Sequence, residues 1–358
     1  MPQFSDHGGK IFATARSLGI TPEELTDFSA SINPLGFSPL IRDELLRTLD
    51  GLVHYPDSDY NQLRQELAVY HHLPSECVTV ANGSTEIIYK LPYLLQGKRA
   101  VIVAPAFSEY ARALEQCGWV VEYFELDPEK DFSIDWDTLA AVLAAGVDAL
   151  YFCNPANPTG MLYSRDDMEK LCRLCAATGT FLVLDEAFMD FCEEYSAVRI
   201  AAVTDNVVIL RSMTKFFGIP GLRLGYSISS GAFAERLKTQ GGPWSVNTLA
   251  LSAGVVSLRD SRFISETREV VRFERQALYD GLLQIPRLKP YHSSTNFLLV
   301  EILGGMTAAE LAGQLQRQWL LIRDCANFRG LTPAFFRVAV KTGEENSRLL
   351  GCLKTILS

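Results

Sequence analysis

The sequence predicts an α/β fold in two lobes: a large one whose mostly parallel sheet is flanked by helices, and a smaller α/β one towards the C-terminal end. Three observations carry this. From about residue 73 to residue 226, short apolar runs rich in β-branched residues alternate with helical patterns, as in a parallel sheet covered on both faces. After Gly242-Pro243 the pattern turns helical, with an amphipathic stretch at about 260–283 that is long enough to bridge two lobes. Beyond it, strand and helix patterns alternate once more. A chain of 358 residues also exceeds one ordinary compact core.

Taken in order, the first 50 or so residues are short elements broken by Pro34, Gly36 and Pro39, and they are expected to dock on the smaller lobe. The large lobe is expected over 51–259 and the small one over 260–358. Strands are predicted at 77–80, 100–103, 119–121, 149–152, 181–184 and 207–210. In the small lobe, strands at 295–301, 320–323 and 335–340 interleave with helices at 307–319 and 344–357. His71-His72 closes a helical pattern and reads as a solvated helix end.

Composition narrows the function classes. A hydrophobic content of 48% with 21% charged residues is that of a globular protein, and a net charge of −9 without any Lys/Arg cluster disfavours nucleic-acid binding. No apolar run approaches the ~18 residues of a membrane span, and the N-terminus lacks a signal-like pattern, so a cytoplasmic location is expected. Eight scattered cysteines suit reduced thiols. Cys172 and Cys175 form a Cys-x-x-Cys without a second pair or a nearby histidine, so no metal site is expected.

The chemistry concentrates in four short motifs. Ser212-Met213-Thr214-Lys215 places two hydroxyls beside a lysine, and Arg223 follows in Gly221-Leu222-Arg223-Leu224-Gly225-Tyr226. A lysine that bonds an aldehyde cofactor needs a fixed amine, and hydroxyls with a guanidinium are suited to hold a phosphate beside it. Asp185 ends the apolar run 181–184, where a buried strand would deliver a carboxylate to a cleft; ligands in such sheets bind beyond the carboxyl ends of the strands. Asn82-Gly83-Ser84-Thr85-Glu86 lies between a strand and a helix, which is either an ordinary N-cap or a phosphate cradle.

In the order Asn154-Pro155-Ala156-Asn157-Pro158-Thr159-Gly160, Asp185, Lys215, Arg223, the chain resembles the fold-type I pyridoxal-phosphate enzymes of the aminotransferase superfamily. The resemblance implies that Lys215 carries the cofactor and that Asp185 pairs with its pyridinium nitrogen. It implies a phosphate held by Gly83, Ser84, Thr85, Ser212, Thr214 and Arg223, Phe107 stacked on the ring, and Asn157 bonded to the phenolic oxygen. Tyr55 matches a tyrosine that reaches the phosphate of the neighbouring subunit, which implies a homodimer. Phe188 departs from the pattern, because many aminotransferases carry a tyrosine there.

His7-Gly8-Gly9, the 27–36 segment, Tyr55-Pro56-Asp57, Pro243-Trp244-Ser245-Val246-Asn247 and the 322–327 segment narrow the resemblance to the threonine-phosphate decarboxylases of cobalamin biosynthesis, with histidinol-phosphate aminotransferases as the close alternative. A phosphorylated amino-acid substrate is then expected, L-threonine O-3-phosphate first and O-phospho-L-serine as a second. His7, Gly8, Ser31, Asn157, Arg323 and Arg337 are the implied substrate residues. Two arginines suit two anionic groups, Arg337 mainly the carboxylate and Arg323 mainly the phosphate, although the sequence leaves that assignment open. Ser31 stands where this family commonly has asparagine. A transcription regulator built on the same fold would need a DNA-binding domain, for which the residues before Asp27 are too few.

Overall fold

The computed structural model describes residues 8–358. Among them, a seven-stranded sheet runs in the order Val78–Ala81, Gly225–Ser229, Val207–Ser212, Phe181–Asp185, Ala149–Cys153, Arg99–Ala104, Val120–Glu125. Gly225–Ser229 pairs antiparallel with both of its neighbours, and the remaining pairings are parallel. Side chains alternate between two cores as the strand period requires. Val101, Val103, Leu182, Leu184, Val207 and Ile209 enter one, while Ala100, Ile102, Val183, Val208 and Leu210 enter the other. Both faces are apolar because helices cover both.

The strands outrun their apolar stretches, and this sets the site. Cys153 pairs with Asp185, Asp185 with Leu210, and Ser212 with Gly225, so these residues are last rungs of a ladder rather than loop positions. A carboxylate fixed in this way has little freedom to turn away.

The second lobe holds a four-stranded antiparallel sheet in the order Arg323–Asp324, Phe335–Ala339, Phe297–Ile302, Leu288–Pro290. Helices Ala308–Gln316 and Gly343–Leu357 begin at Thr307 and Thr342, each with a capping box, and pack on this sheet through Leu311, Leu315, Leu349 and Leu353. Helix Ser261–Leu283 spans the junction, with Ile264 in the larger core and Leu278 and Leu282 in the smaller one. No helix among the described residues is long and apolar enough to cross a membrane.

The first fifty residues divide their contacts. Thr26–Asp27 pairs in parallel with Leu320–Leu321, and Phe28 enters the small core. Ile41 of helix Pro39–Thr48 instead enters the large one. The Pro34-Leu35-Gly36 break lets one short segment change lobes.

His71 corrects the expectation of a solvated helix end. It lies one turn beyond Leu63 and Leu67 on the inner stripe of helix Asn61–His71 and is buried, with Nε2 2.8 Å from the Tyr226 hydroxyl and Nδ1 3.4 Å from Glu193. Beside it, fully buried Arg211 pairs with Glu186 at 3.1 Å, with Asp190 at 2.9 Å and with Glu193. Burial pushes Glu186 up to about 7 against the pull of Arg211. Glu186 and Arg211 adjoin Asp185 and Ser212, so this cluster braces the strand ends from behind. Arg211→Leu strands three carboxylates and is expected to cost about 3–5 kcal/mol of stability, read by urea unfolding. A loss below about 1 kcal/mol contradicts the bracing role.

Candidate active site

A cavity of about 450 Å³ opens at the carboxyl ends of the parallel strands. Of the residues singled out from sequence, Gly8, Ser31, Ser84, Thr85, Phe107, Asn157, Asp185, Thr214, Lys215, Arg223, Arg323 and Arg337 line it. Gly83 and Ser212 adjoin it through Arg223 and Lys215. Tyr55 is 79% exposed, stacked on Trp244 at 4.6 Å, and lines no part of this cavity. His7 lies outside the described residues.

Lys215 sits in the short helix Met213–Phe216 that follows strand Val207–Ser212. Its Nζ donates to Ser212 Oγ at 2.8 Å, and the Ser212 and Thr214 hydroxyls are 2.8 Å apart. Burial lowers this amine to about 8, opposed by Asp185 and helped by Arg223 and Arg337. About a tenth of it is therefore neutral, and nucleophilic, at pH 7, against well under a thousandth for an ordinary lysine. The Phe188 ring lies 5.8 Å from Nζ, where a tyrosine would have offered a hydroxyl.

Asp185 is buried, and burial raises its pKa against the opposing effects of the Tyr110 hydroxyl, the Ala187 N–H and Lys215. Those two donors take one carboxylate oxygen each, Tyr110 at 2.5 Å and Ala187 at 2.8 Å.

Helix Ser84–Leu94 begins at Gly83 with no side-chain cap, leaving its first N–H groups for an anion. Gly83 holds φ at 77°, and a Cβ there would come 2.9 Å from the Arg223 guanidinium. At Gly225 a Cβ would come 2.3 Å from the Ser84 nitrogen, so glycine lets this strand press against the helix start. Open amides, the Ser84, Thr85, Ser212 and Thr214 hydroxyls and the Arg223 guanidinium form a donor set that fits a phosphate.

Arg323 and Arg337, also in the cavity lining, are direct cross-strand partners. Like charges so placed repel one another. Arg337 donates to Asn157 Oδ1 and, at 3.2 Å, to the Ser29 carbonyl, and lies 4.9 Å from the Phe297 ring. Burial pushes it down to about 10, so it stays charged at neutrality. Arg323 donates to Asn327 Oδ1 at 2.8 Å and lies 5.1 Å from the Phe328 ring. Arg337 Nε and Ser31 Oγ are buried with no hydrogen-bond partner among the described residues. Orphaned polar atoms of this kind mark where a ligand completes the bonding.

The sequence reading missed Tyr110, Ala187, Ser29 and Phe328. For Tyr110 a signal existed: Phe107-Ser108-Glu109-Tyr110 places two aromatics three residues apart where a helix begins. Backbone groups such as the Ala187 N–H and the Ser29 carbonyl carry no sequence signature.

Comparison with known proteins agrees with this geometry. The aminotransferase class I and II family matches residues 23–353. The chain is 40% identical over 357 residues to threonine-phosphate decarboxylase of Salmonella typhimurium, covering 99% of this chain and 97% of that protein. The crystal structure of L-threonine-O-3-phosphate decarboxylase from Porphyromonas gingivalis superposes with a TM-score of 0.81 at 28% identity, covering 92% of this chain and 98% of that one. Histidinol-phosphate aminotransferase from Clostridium acetobutylicum gives 0.86 at 28% identity with the same coverage. With the lysine, the carboxylate and the open helix start set around one cavity, and with this match along nearly its whole length, the chain belongs to the aminotransferase class I and II family.

Proposed function

We propose that the chain is a cytoplasmic pyridoxal-phosphate-dependent lyase. It decarboxylates L-threonine O-3-phosphate to (R)-1-amino-2-propanol O-2-phosphate for assembly of the cobalamin nucleotide loop. The observation that carries this reading is the pair Arg323 and Arg337, cross-strand neighbours that line the same cavity as Lys215 and Asp185. Two adjacent cations call for a dianionic substrate, one anion for each, and the similarity to threonine-phosphate decarboxylase supplies the candidate.

Bound in the cradle, pyridoxal phosphate supplies an electron sink for the bond broken at Cα. Asp185 would keep the proton on the ring nitrogen. Phe107 would pack against the ring, and Asn157, which accepts from Arg337, would donate to the phenolic oxygen. Lys215 would hold the aldehyde carbon in the resting protein, and its amine would serve as the proton carrier at Cα. Arg337, deep beside Asn157, takes the carboxylate, and Arg323, nearer the rim, takes the phosphate. Together they would orient the substituents at Cα and so select which of its bonds breaks. Exposed Tyr55 and the exposed Leu49, Leu52 and Val53 support a homodimer in which Tyr55 reaches the neighbouring phosphate cradle.

Ser31 bears on selectivity, since its unpartnered hydroxyl is shorter than the asparagine common in the family. O-phospho-L-serine differs from the threonine ester by one methyl group, worth about 1 kcal/mol or somewhat more in an apolar pocket. Mass analysis of products from both esters is expected to show loss of CO2, with kcat/KM values within roughly 200-fold of each other. Ser31→Asn is expected to move that ratio. A preference of several orders of magnitude that the substitution leaves untouched removes Ser31 from selectivity.

A further inference from the structure

Tyr110 stands in the wall of the cavity behind Asp185, where packing alone would be served equally well by phenylalanine. Its ring is 1% exposed and wedged between two others, edge-on to Phe107 at 5.8 Å and tilted against Tyr151 at 5.5 Å. A phenol buried at such a place costs stability unless its hydroxyl finds a partner. The partner it finds is Asp185 Oδ2 at 2.5 Å, while the Ala187 N–H takes Oδ1 at 2.8 Å. Burial, and after it the charge of Asp185, holds the phenol well above its ordinary pKa. It therefore keeps its proton near neutral pH and serves as a donor.

We infer that Tyr110 is a positioning residue that fixes the Asp185 carboxylate for the cofactor ring nitrogen while bracing Phe107, so that one side chain aligns the edge and the face of the ring site. The spacing explains how. Phe107 lies just before helix Glu109–Gln116 and Tyr110 in its first turn, three residues on, and their rings meet edge to face. Clamped by one side-chain donor and one backbone donor, the carboxylate cannot rotate, yet each oxygen keeps a free lone pair. The inference rests on the reading that this cavity binds pyridoxal phosphate.

The test is a double-substitution cycle read through the dissociation constant of pyridoxal phosphate, measured on cofactor-stripped full-length protein, so that no substrate enters. Tyr110→Phe keeps the ring and removes the hydroxyl. It is expected to weaken cofactor binding roughly tenfold or more, as loss of a hydrogen bond to a charged group does. In an Asp185→Asn background the same substitution is expected to add less than about twofold, because Tyr110 acts through that carboxylate. Equal losses in both backgrounds, or no loss in the native one, overturn the inference and leave Tyr110 as core packing. Native protein that binds no pyridoxal phosphate overturns the reading beneath it instead. The cycle compares backgrounds, so a general loss of stability appears as equal losses and is not mistaken for positioning.

Discussion

Lys215→Ala is expected to lower turnover roughly a thousandfold or more, because the proposed mechanism gives this one side chain both the anchoring of the cofactor and the proton at Cα. Borohydride reduction of the native protein followed by peptide mapping is expected to find the pyridoxyl group on Lys215 and to find none in the variant. An adduct on another lysine, or a variant within tenfold of native turnover, contradicts the assignment. The pH dependence follows from the same amine. Burial lowers it to about 8, so its neutral form prevails above that pH and declines below it. Covalent reconstitution of cofactor-free protein is therefore expected to accelerate about tenfold between pH 7 and pH 9, as the neutral fraction rises. A rise nearer a hundredfold, as a lysine at its ordinary pKa gives, would place the amine outside the buried cavity.

Asp185→Asn is the second large effect. The substitution keeps the shape of the side chain and its Ala187 contact but removes the charge that holds a proton on the ring nitrogen. Cofactor is expected to remain bound at saturating concentration through Ser84, Thr85, Ser212, Thr214 and Arg223, with turnover down roughly a hundredfold to a thousandfold, the scale of removing one preorganised electrostatic partner. Steady-state rates at saturating cofactor separate the two effects. Near-native turnover removes Asp185 from the chemistry.

The fold was legible where side chains follow a period. Strand Phe181–Asp185 and its parallel neighbours announce themselves as apolar runs because both faces are covered. Gly225–Ser229 does not. Its Gly-Tyr-Ser-Ile-Ser sequence reads as a loop, yet every residue is buried, since glycine and serine let helix Ser84–Leu94 press close. Leu288–Pro290 was hidden by its proline and Thr26–Asp27 by its length. His71 looked solvated because a histidine pair at a helix end suggests water; only its spacing from Leu63 and Leu67 told otherwise.

In the site, the side chains with distinctive chemistry could be picked out from the order of their motifs. What stayed illegible was pairing between distant segments, such as Tyr110 with Asp185, or Arg323 facing Arg337 across two strands. Nothing local in the sequence encodes a cross-strand register in which two like charges meet. Tyr55 is a different case, because its expected partner is on another subunit.

Decarboxylase and aminotransferase readings share the cofactor residues and part only at the bond that breaks, so product analysis tests the proposed reaction most directly. Purified protein with pyridoxal phosphate and O-phospho-L-threonine, and no 2-oxo acid, is expected to release CO2 in equal amount to a phosphorylated amino alcohol. Conversion of histidinol phosphate with 2-oxoglutarate and without CO2, together with no decarboxylation of the threonine ester, would contradict it.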